Sequence, residues 1–201
     1  MPVDPKRESW KPGMPWEKAL DDMDYVKEIA KELGGEERVK RQHSGGRYTI
    51  RERIDKMLDP GSFLEAGPMV GAAEFDDDGN LTEFTPGAFV MGLGEIEGRS
   101  VAIGGDDFTI SGGSPHNVSK GPRQFTIPLS IQYGIPYIHL VEGVGHSAKK
   151  DEASGHMGLP DGGQWWHFAE LMRNVPVAAG VMGSVAGAPA AHALMSHFTV
   201  M

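Results

Sequence analysis

The chain has 201 residues, 39% of them hydrophobic and 23% charged, and carries a net charge of -9. That length supports one domain with a sizeable core, and the acid surplus excludes a general nucleic-acid binder, which needs a basic face to neutralise phosphates. The absence of cysteine removes disulfides and thiolate zinc sites. No signal peptide is visible and no apolar run nears the ~20 residues of a membrane span, so the cytoplasm is the expected compartment.

Residues 1–15 are rich in Pro, Lys and Glu and read as an irregular arm. Apolar residues at Trp16, Leu20, Met23, Val26, Ala30 and Leu33 have helical spacing, and Gly34-Gly35 ends the run. Such a helix packs on its own domain or on a sister subunit. Glu37 to Gln42 reads as a charged, solvated turn or short helix. Thr49 and Glu52 fit a capping box, with Ile50, Ile54, Met57 and Leu58 as the apolar stripe behind it. Asp59-Pro60-Gly61 breaks that helix, and Ser62 to Ala66 has strand character. The acidic run Asp76 to Asn80 lacks calcium-loop spacing and reads as a surface turn.

A hairpin follows, Ala88 to Ile96 and Arg99 to Ile103, joined at Glu97-Gly98. Asp106 to Ser114 then passes from strand into a small-residue loop, and Gly121 to Tyr133 has helical character despite two prolines. Ile135-Pro136 introduces the strand Tyr137 to Val141, which ends in a glycine turn, Gly143-Val144-Gly145-His146-Ser147. Trp165 to Met172 carries a helical stripe. Val175-Pro176 then repeats the small-residue-proline entry into an apolar strand running to Met182. Gly183 to Gly187 is expected to turn the chain, Ala188 to Met195 to form a helix, and Phe198 to Met201 a last strand. Alternating strands and helices of this kind predict an α/β fold of stacked ββα or βαβ units with right-handed crossovers. Met201 directly follows a strand expected to be buried, so a chain continuing beyond it is expected.

A strand that feeds a glycine turn and a helix start leaves backbone N–H groups unpaired and pointing one way. Such a turn can hold a phosphate or stabilise an oxyanion; it can equally be a tight packing corner. No protein nucleophile or base accompanies it. The nearest approach to a nucleophile elbow, Gly143 to Ser147, fails because Lys149 stands where glycine is required. The eight histidines show no metal-ligand spacing, and His139, inside an apolar strand, reads as a satisfied core residue. Backbone donors without a protein base suit a reaction whose base belongs to substrate or cofactor.

Residues 46–67, GRYTIRERIDKMLDPGSFLEAG, resemble the signature of the biotin-dependent acyl-CoA carboxylase β subunits, the carboxyltransferase family, unbroken from Arg51 to Glu65. Three later stretches match in order: Gly92 to Arg99 with Asp107-Phe108-Thr109 and Gly112-Gly113-Ser114; Ile135-Pro136 through Gly145; and Gly183 to Met201. The resemblance implies a crotonase-like spiral of repeated ββα units with an N-terminal helical extension. Residues 1–45 would form the arm and helices, and 46–201 an N-terminal carboxyltransferase domain, incomplete at its C-terminus. The implied reaction moves a carboxyl group from carboxybiotin to the α-carbon of an acyl-CoA, with no metal. Its implied partners are a biotin carboxylase, a biotin carboxyl carrier that brings the biotin, and further copies of the chain in a hexamer.

By the same resemblance the oxyanion pair falls on Gly187 and Ala188, and the cofactor-binding residues are Gly112, Gly113, Gly145, His146, Ser147 and Ala148. Lys149 and Lys150 could face CoA phosphates. Departures stand at Ala188-Pro189, at Ala191-His192 and in the turn after Val141, where the family has D-S-G-G-A-R. Alternatives of the same fold are a biotin-dependent acyl-CoA decarboxylase subunit and a non-catalytic CoA-binding or assembly subunit.

Overall fold

The computed structural model describes residues 1, 3–114, 120–145 and 163–201, and among these it has eight strands and six α-helices. Helices α1 (Trp16–Lys31), α2 (Glu36–Ser44) and α3 (Ile50–Met57) come first. Strands β1 (Leu64–Glu65), β2 (Gly71–Phe75), β3 (Leu81–Pro86), β4 (Phe89–Ile96) and β5 (Arg99–Asp106) follow. The remainder runs α4 (Lys120–Tyr133), β6 (Tyr137–Gly143), α5 (Gly163–Asn174), β7 (Val177–Val185), α6 (Ala188–Met195) and β8 (Phe198–Val200).

Six strands form one sheet in the order β1-β4-β5-β6-β7-β8, antiparallel from β1 to β5 and parallel from β5 to β8. Period-2 alternation divides its side chains between two cores. Val101, Ile103 and Leu140 face one way, against Ile50, Ile54 and Leu58 of the α3 region. Ala102, Tyr137 and Val177 face the other way, against Ile127 of α4 and Phe168 and Leu171 of α5. Helices on both faces of a mostly parallel sheet make this the expected α/β architecture.

The proline entries are a structural repeat. Pro136 O accepts the Ala102 N–H at 2.8 Å, and Pro176 O accepts the Tyr137 N–H at 2.9 Å, so each proline starts the next strand in the same register. At the α3 N-terminus the Thr49 hydroxyl accepts the Glu52 N–H while the Glu52 carboxylate accepts the Thr49 N–H, the expected capping box.

Three local expectations are corrected. β7 continues through Gly183 to Val185, because pairing with β6 extends to Gly143 and Val185, and only Ala186-Gly187 turns. The charged stretch 37–42 is helical, within α2, one of its two expected forms, but Gln42 is buried rather than solvated. Of Ser62 to Ala66, only Leu64 and Glu65 pair as a strand, on β4. The β2–β3 hairpin around the acidic 76–80 turn had no sequence signal, since β2 is small and exposed.

Candidate active site

Strands β5, β6 and β7 run parallel, so their C-terminal ends meet at one edge, where α/β sheets bind ligands. The turn after β5 contains Ser111, Gly112 and Gly113, all in the left-handed region at φ 50°, 64° and 69°. Gly112 O accepts the Val144 N–H at 3.0 Å, and Gly143 O accepts the Ala186 N–H at 2.9 Å, which stitches the three turns together.

Gly145 and Gly187 then pack backbone to backbone. A Cβ on Gly145 would stand 2.9 Å from Ala186 O and 3.4 Å from the Gly187 Cα. Gly187 adopts φ 69°, ψ -138°, a conformation closed to residues with a Cβ, and serves as N-cap of α6. Its carbonyl accepts the Ala191 N–H at 3.2 Å. Helix geometry therefore leaves Ala188, the first helical residue, with an N–H that has no acceptor within the helix. Pro189, next in line, contributes none. The result is a cradle of bare backbone with the positive end of a helix dipole at its wall, a form suited to a developing oxyanion.

The structure thus brings together Gly112, Gly113, Gly145, Gly187 and Ala188. His146, Ser147 and Ala148, together with Lys149 and Lys150, lie outside the described residues.

Beneath the cradle lies an ionic cluster that sequence reasoning missed. Glu142, fully buried at the end of β6, pairs with Arg47 (Nη1 to Oε1, 2.9 Å) and Arg53 (Nη1 to Oε2, 2.6 Å). Gln42 Nε2 donates to its Oε2 at 3.0 Å, and the Glu142 N–H donates to Asp106 Oδ2 at 3.3 Å. Gly183 on β7 leaves room for this carboxylate, since a Cβ there would collide with Oε1. The one available signal was a glutamate closing an apolar strand: a buried charge needs partners.

Asp107, next to the cluster, is almost wholly buried. Burial pushes its carboxyl up to about 6, against the two bonds from Thr109 and the positive charge of Arg51, and the charge of Glu142 acts in the same direction as burial. His139 is buried on the opposite face of β6, stacked on Tyr137 and 3.8 Å from Asp106 Oδ2, a core position as expected. His192 stacks on Phe168 in the core beneath α6. The His197 Nδ1 accepts the Val177 N–H at 3.1 Å and ties β8 to the start of β7.

The signature string proves to be a brace. Arg51 and Glu65, its two ends, form a bidentate ion pair at 2.8 Å and 2.8 Å. Asp59 accepts the N–H groups of Glu97 and Gly98 in the β4–β5 turn, and the Ser62 hydroxyl accepts the Glu95 N–H. Arg53 reaches Glu142.

Comparison with known proteins gives the family and the fold. Residues 41–201 match the model of the carboxyl transferase domain family, and the chain belongs to that family. It is 33% identical over 164 residues to the biotin-dependent 3-methylcrotonyl-coenzyme A carboxylase beta1 subunit of Mycobacterium tuberculosis, covering 76% of this chain and 28% of that protein. It is 29% identical over 195 residues to the propionyl-CoA carboxylase carboxyltransferase subunit of Haloferax mediterranei, covering 94% of this chain and 36% of the relative. Among solved structures it superposes on the transcarboxylase 12S hexamer with methylmalonyl-coenzyme A bound, with a TM-score of 0.76 and 26% identity, over 94% of this chain and 36% of that one. The fold is accordingly that of the crotonase-like carboxyltransferases. The chain spans about a third of the length of these proteins.

Proposed function

We propose that the chain forms part of the carboxyltransferase component of a biotin-dependent acyl-CoA carboxylase, with residues 46–201 as its first carboxyltransferase domain. The observation that carries this reading is the bare-backbone cradle at Gly145, Gly187 and Ala188, set at the C-terminal edge of the parallel strands in a chain of this family. An acyl-CoA thioester would place its carbonyl oxygen at the Ala188 N–H. Loss of the α-proton then develops negative charge on that oxygen, where the N–H and the α6 dipole stabilise it.

Biotin, carried by a partner protein, would supply the carboxyl group that the α-carbon receives and, with its N–carboxyl bond broken, the base that takes the α-proton. Its fit is supported by the same cradle: at Gly145 and Gly187 no side chain stands between the turns. The chain's own contribution is positional. Gly112 and Gly113 shape the flanking turn, and Glu142 with Arg47 and Arg53 fixes the end of β6 from below.

A biotin carboxylase, a biotin carrier and further copies of the chain in a hexamer are the partners this reading requires, and the cytoplasm is its expected location. Among the described residues no helix is long and apolar enough to cross a membrane.

Titration calorimetry of the full chain with free CoA and a panel of acyl-CoAs tests the reading, followed by a carboxyl-transfer assay with carboxybiotin. Binding that depends on acyl length, together with transfer, is the expected result. Binding without transfer would favour the assembly role, and no binding at all would overturn the reading.

A further inference from the structure

A cavity of about 330 Å³ opens between the N-terminal arm, α1 and the β2–β3 hairpin. Its lining residues all lie between Val3 and Phe84, outside the six-stranded sheet that carries the cradle. The arm and α1 also precede residues 41–201, the stretch that matches the family. One wall depends on an irregularity of the hairpin. Period-2 alternation would put Leu81 and Phe84, three apart on β3, on opposite faces. The register shifts, so that Glu74 pairs with Glu83 but Phe75 with Leu81, and Thr82 is left as an extra residue. Leu81 and Phe84 thereby share the cavity face with their cross-strand partners Phe75 and Ala73. The Thr82 carbonyl accepts the Val3 N–H at 3.1 Å and holds the arm beside the hairpin. Bulges that re-aim side chains in this way are over-represented next to functional sites.

The polar groups of the wall are spent on protein partners. Arg7 pairs with Asp21 and, at 3.0 Å, with Asp22, and its guanidinium lies 4.2 Å from the centroid of the Tyr25 ring. Asp22 also pairs with Lys18 and accepts the Trp10 N–H at 2.6 Å. Trp10 Nε1 donates to Met14 O at 3.2 Å, the Ser9 hydroxyl accepts the Leu81 N–H at 2.8 Å, and Tyr25 Oη accepts the Asp4 N–H at 3.1 Å. The remaining lining is mostly apolar, with the rings of Trp10, Tyr25, Phe75 and Phe84 and the thioethers of Met23 and Met69. Phe84 is buried, whereas Phe75, Met23 and Met69 stay exposed although they line the cavity. A charged ligand entering here would lose its hydration against partners already neutralised. The hairpin turn beside Gly79 carries Asp76, Asp77 and Asp78, which repel anions in particular.

We propose that this cavity is a binding site for an uncharged aromatic or aliphatic small molecule. Its volume falls at the lower end of the roughly 300–1,000 Å³ of ligand pockets, and its apolar walls with polar groups already satisfied are their usual form. Aromatic rings supply large contact area, and methionines adapt to the shape of what they cover. The proposal is independent of the acyl-CoA reading, since no residue of the cavity belongs to the cradle.

The experiment titrates the full chain with the neutral fluorophore N-phenyl-1-naphthylamine and displaces it with 1-octanol or with octanoate. Ala73→Leu fills the cavity from β2, and Met23→Trp fills it from α1. Ala72→Leu, which adds the same atoms to the other face of β2, is the control. Ala73 and Met23 are exposed, so both filling variants keep the fold, which circular dichroism and melting temperature check. Wild type and Ala72→Leu should bind the dye saturably and alike, and each filling variant should weaken it by about tenfold or more. 1-Octanol should displace the dye at concentrations where octanoate does not. Dye binding that is the same in wild type and in both filling variants overturns the site. Octanoate displacing as well as 1-octanol overturns the uncharged class. Self-association in sedimentation velocity that the filling variants abolish, without dye binding to wild type, overturns the proposal and gives the cavity to a second copy of the chain.

Discussion

Ala188 offers the most direct test of chemistry at a single residue. As the first residue of α6 it occupies the helical position that tolerates proline best, because its N–H has no acceptor within the helix. Ala188→Pro therefore deletes one proposed donor and keeps the helix. The expected outcome is a fall in kcat for carboxyl transfer of roughly 10²–10³-fold, with little change in melting temperature. Unaltered kcat would remove Ala188 from the oxyanion role. Asp107 makes a second residue-scale prediction, this time of stability. Its folded carboxyl titrates at about 6, above the ordinary value of 3.8, so the folded state holds the proton more tightly. That contribution is fully present below pH 4 and is lost as pH rises through 6, a change on the order of 3 kcal/mol. Asp107→Asn keeps the Oδ1 that accepts both Thr109 bonds. Urea unfolding from pH 4 to 7 should show wild type losing stability relative to this variant as pH rises; parallel curves would refute the assignment.

The β4–β5 hairpin shows what the signature string does at the scale of an element. Glu97 and Gly98 both lie in the left-handed region, φ 51° and 71°, the two-residue turn whose twist matches its strands. The two N–H groups of that turn are held by one carboxylate, Asp59, thirty-eight and thirty-nine residues earlier. Asp59→Ala should destabilise the chain by about 1–3 kcal/mol, read from the urea midpoint, and leave CoA affinity unchanged because the turn lies at the opposite end of β5 from Gly112. A loss of CoA binding without loss of stability would show that the string has a direct role in the site. The helices contrast with each other. α3 has its capping box and a buried stripe, and α6 starts and ends where its small residues predict. α1 buries Ile29 and Ala30, whereas Trp16, Leu20 and Met23 of the same stripe stay exposed. Periodicity marks a helix face without naming what covers it.

At the scale of the molecule, one group of exposed apolar residues among those described lies at the β8 margin of the sheet. Leu194, Phe198, Val200 and Met201 are 86%, 65%, 54% and 97% exposed, and β8 is an edge strand. An uncovered edge with apolar side chains invites pairing with another chain. The 201-residue chain should associate reversibly in sedimentation velocity as its concentration rises, and Val200→Lys should reduce that association. Monomers of wild type at every concentration would show that this margin is tolerated bare.

The sequence by itself determined the family, the α/β alternation and the existence of glycine turns after β6 and β7, though not where the second of them begins. Those properties are local: capping pairs lie three residues apart, strands follow apolar runs, and the Arg51–Glu65 string is contiguous. Tertiary structure alone decided the rest. Gln42 and Arg47 meet Glu142 across 100 and 95 residues, and nothing in their immediate neighbours distinguishes them from solvated charges. The same holds for the cavity beside the Gly112 turn, where one helix, one turn and the loop after β5 each supply part of the wall. Periodicity and capping report what a residue does to its own segment; a buried charge cluster or a cavity wall depends on which segments the sheet brings side by side.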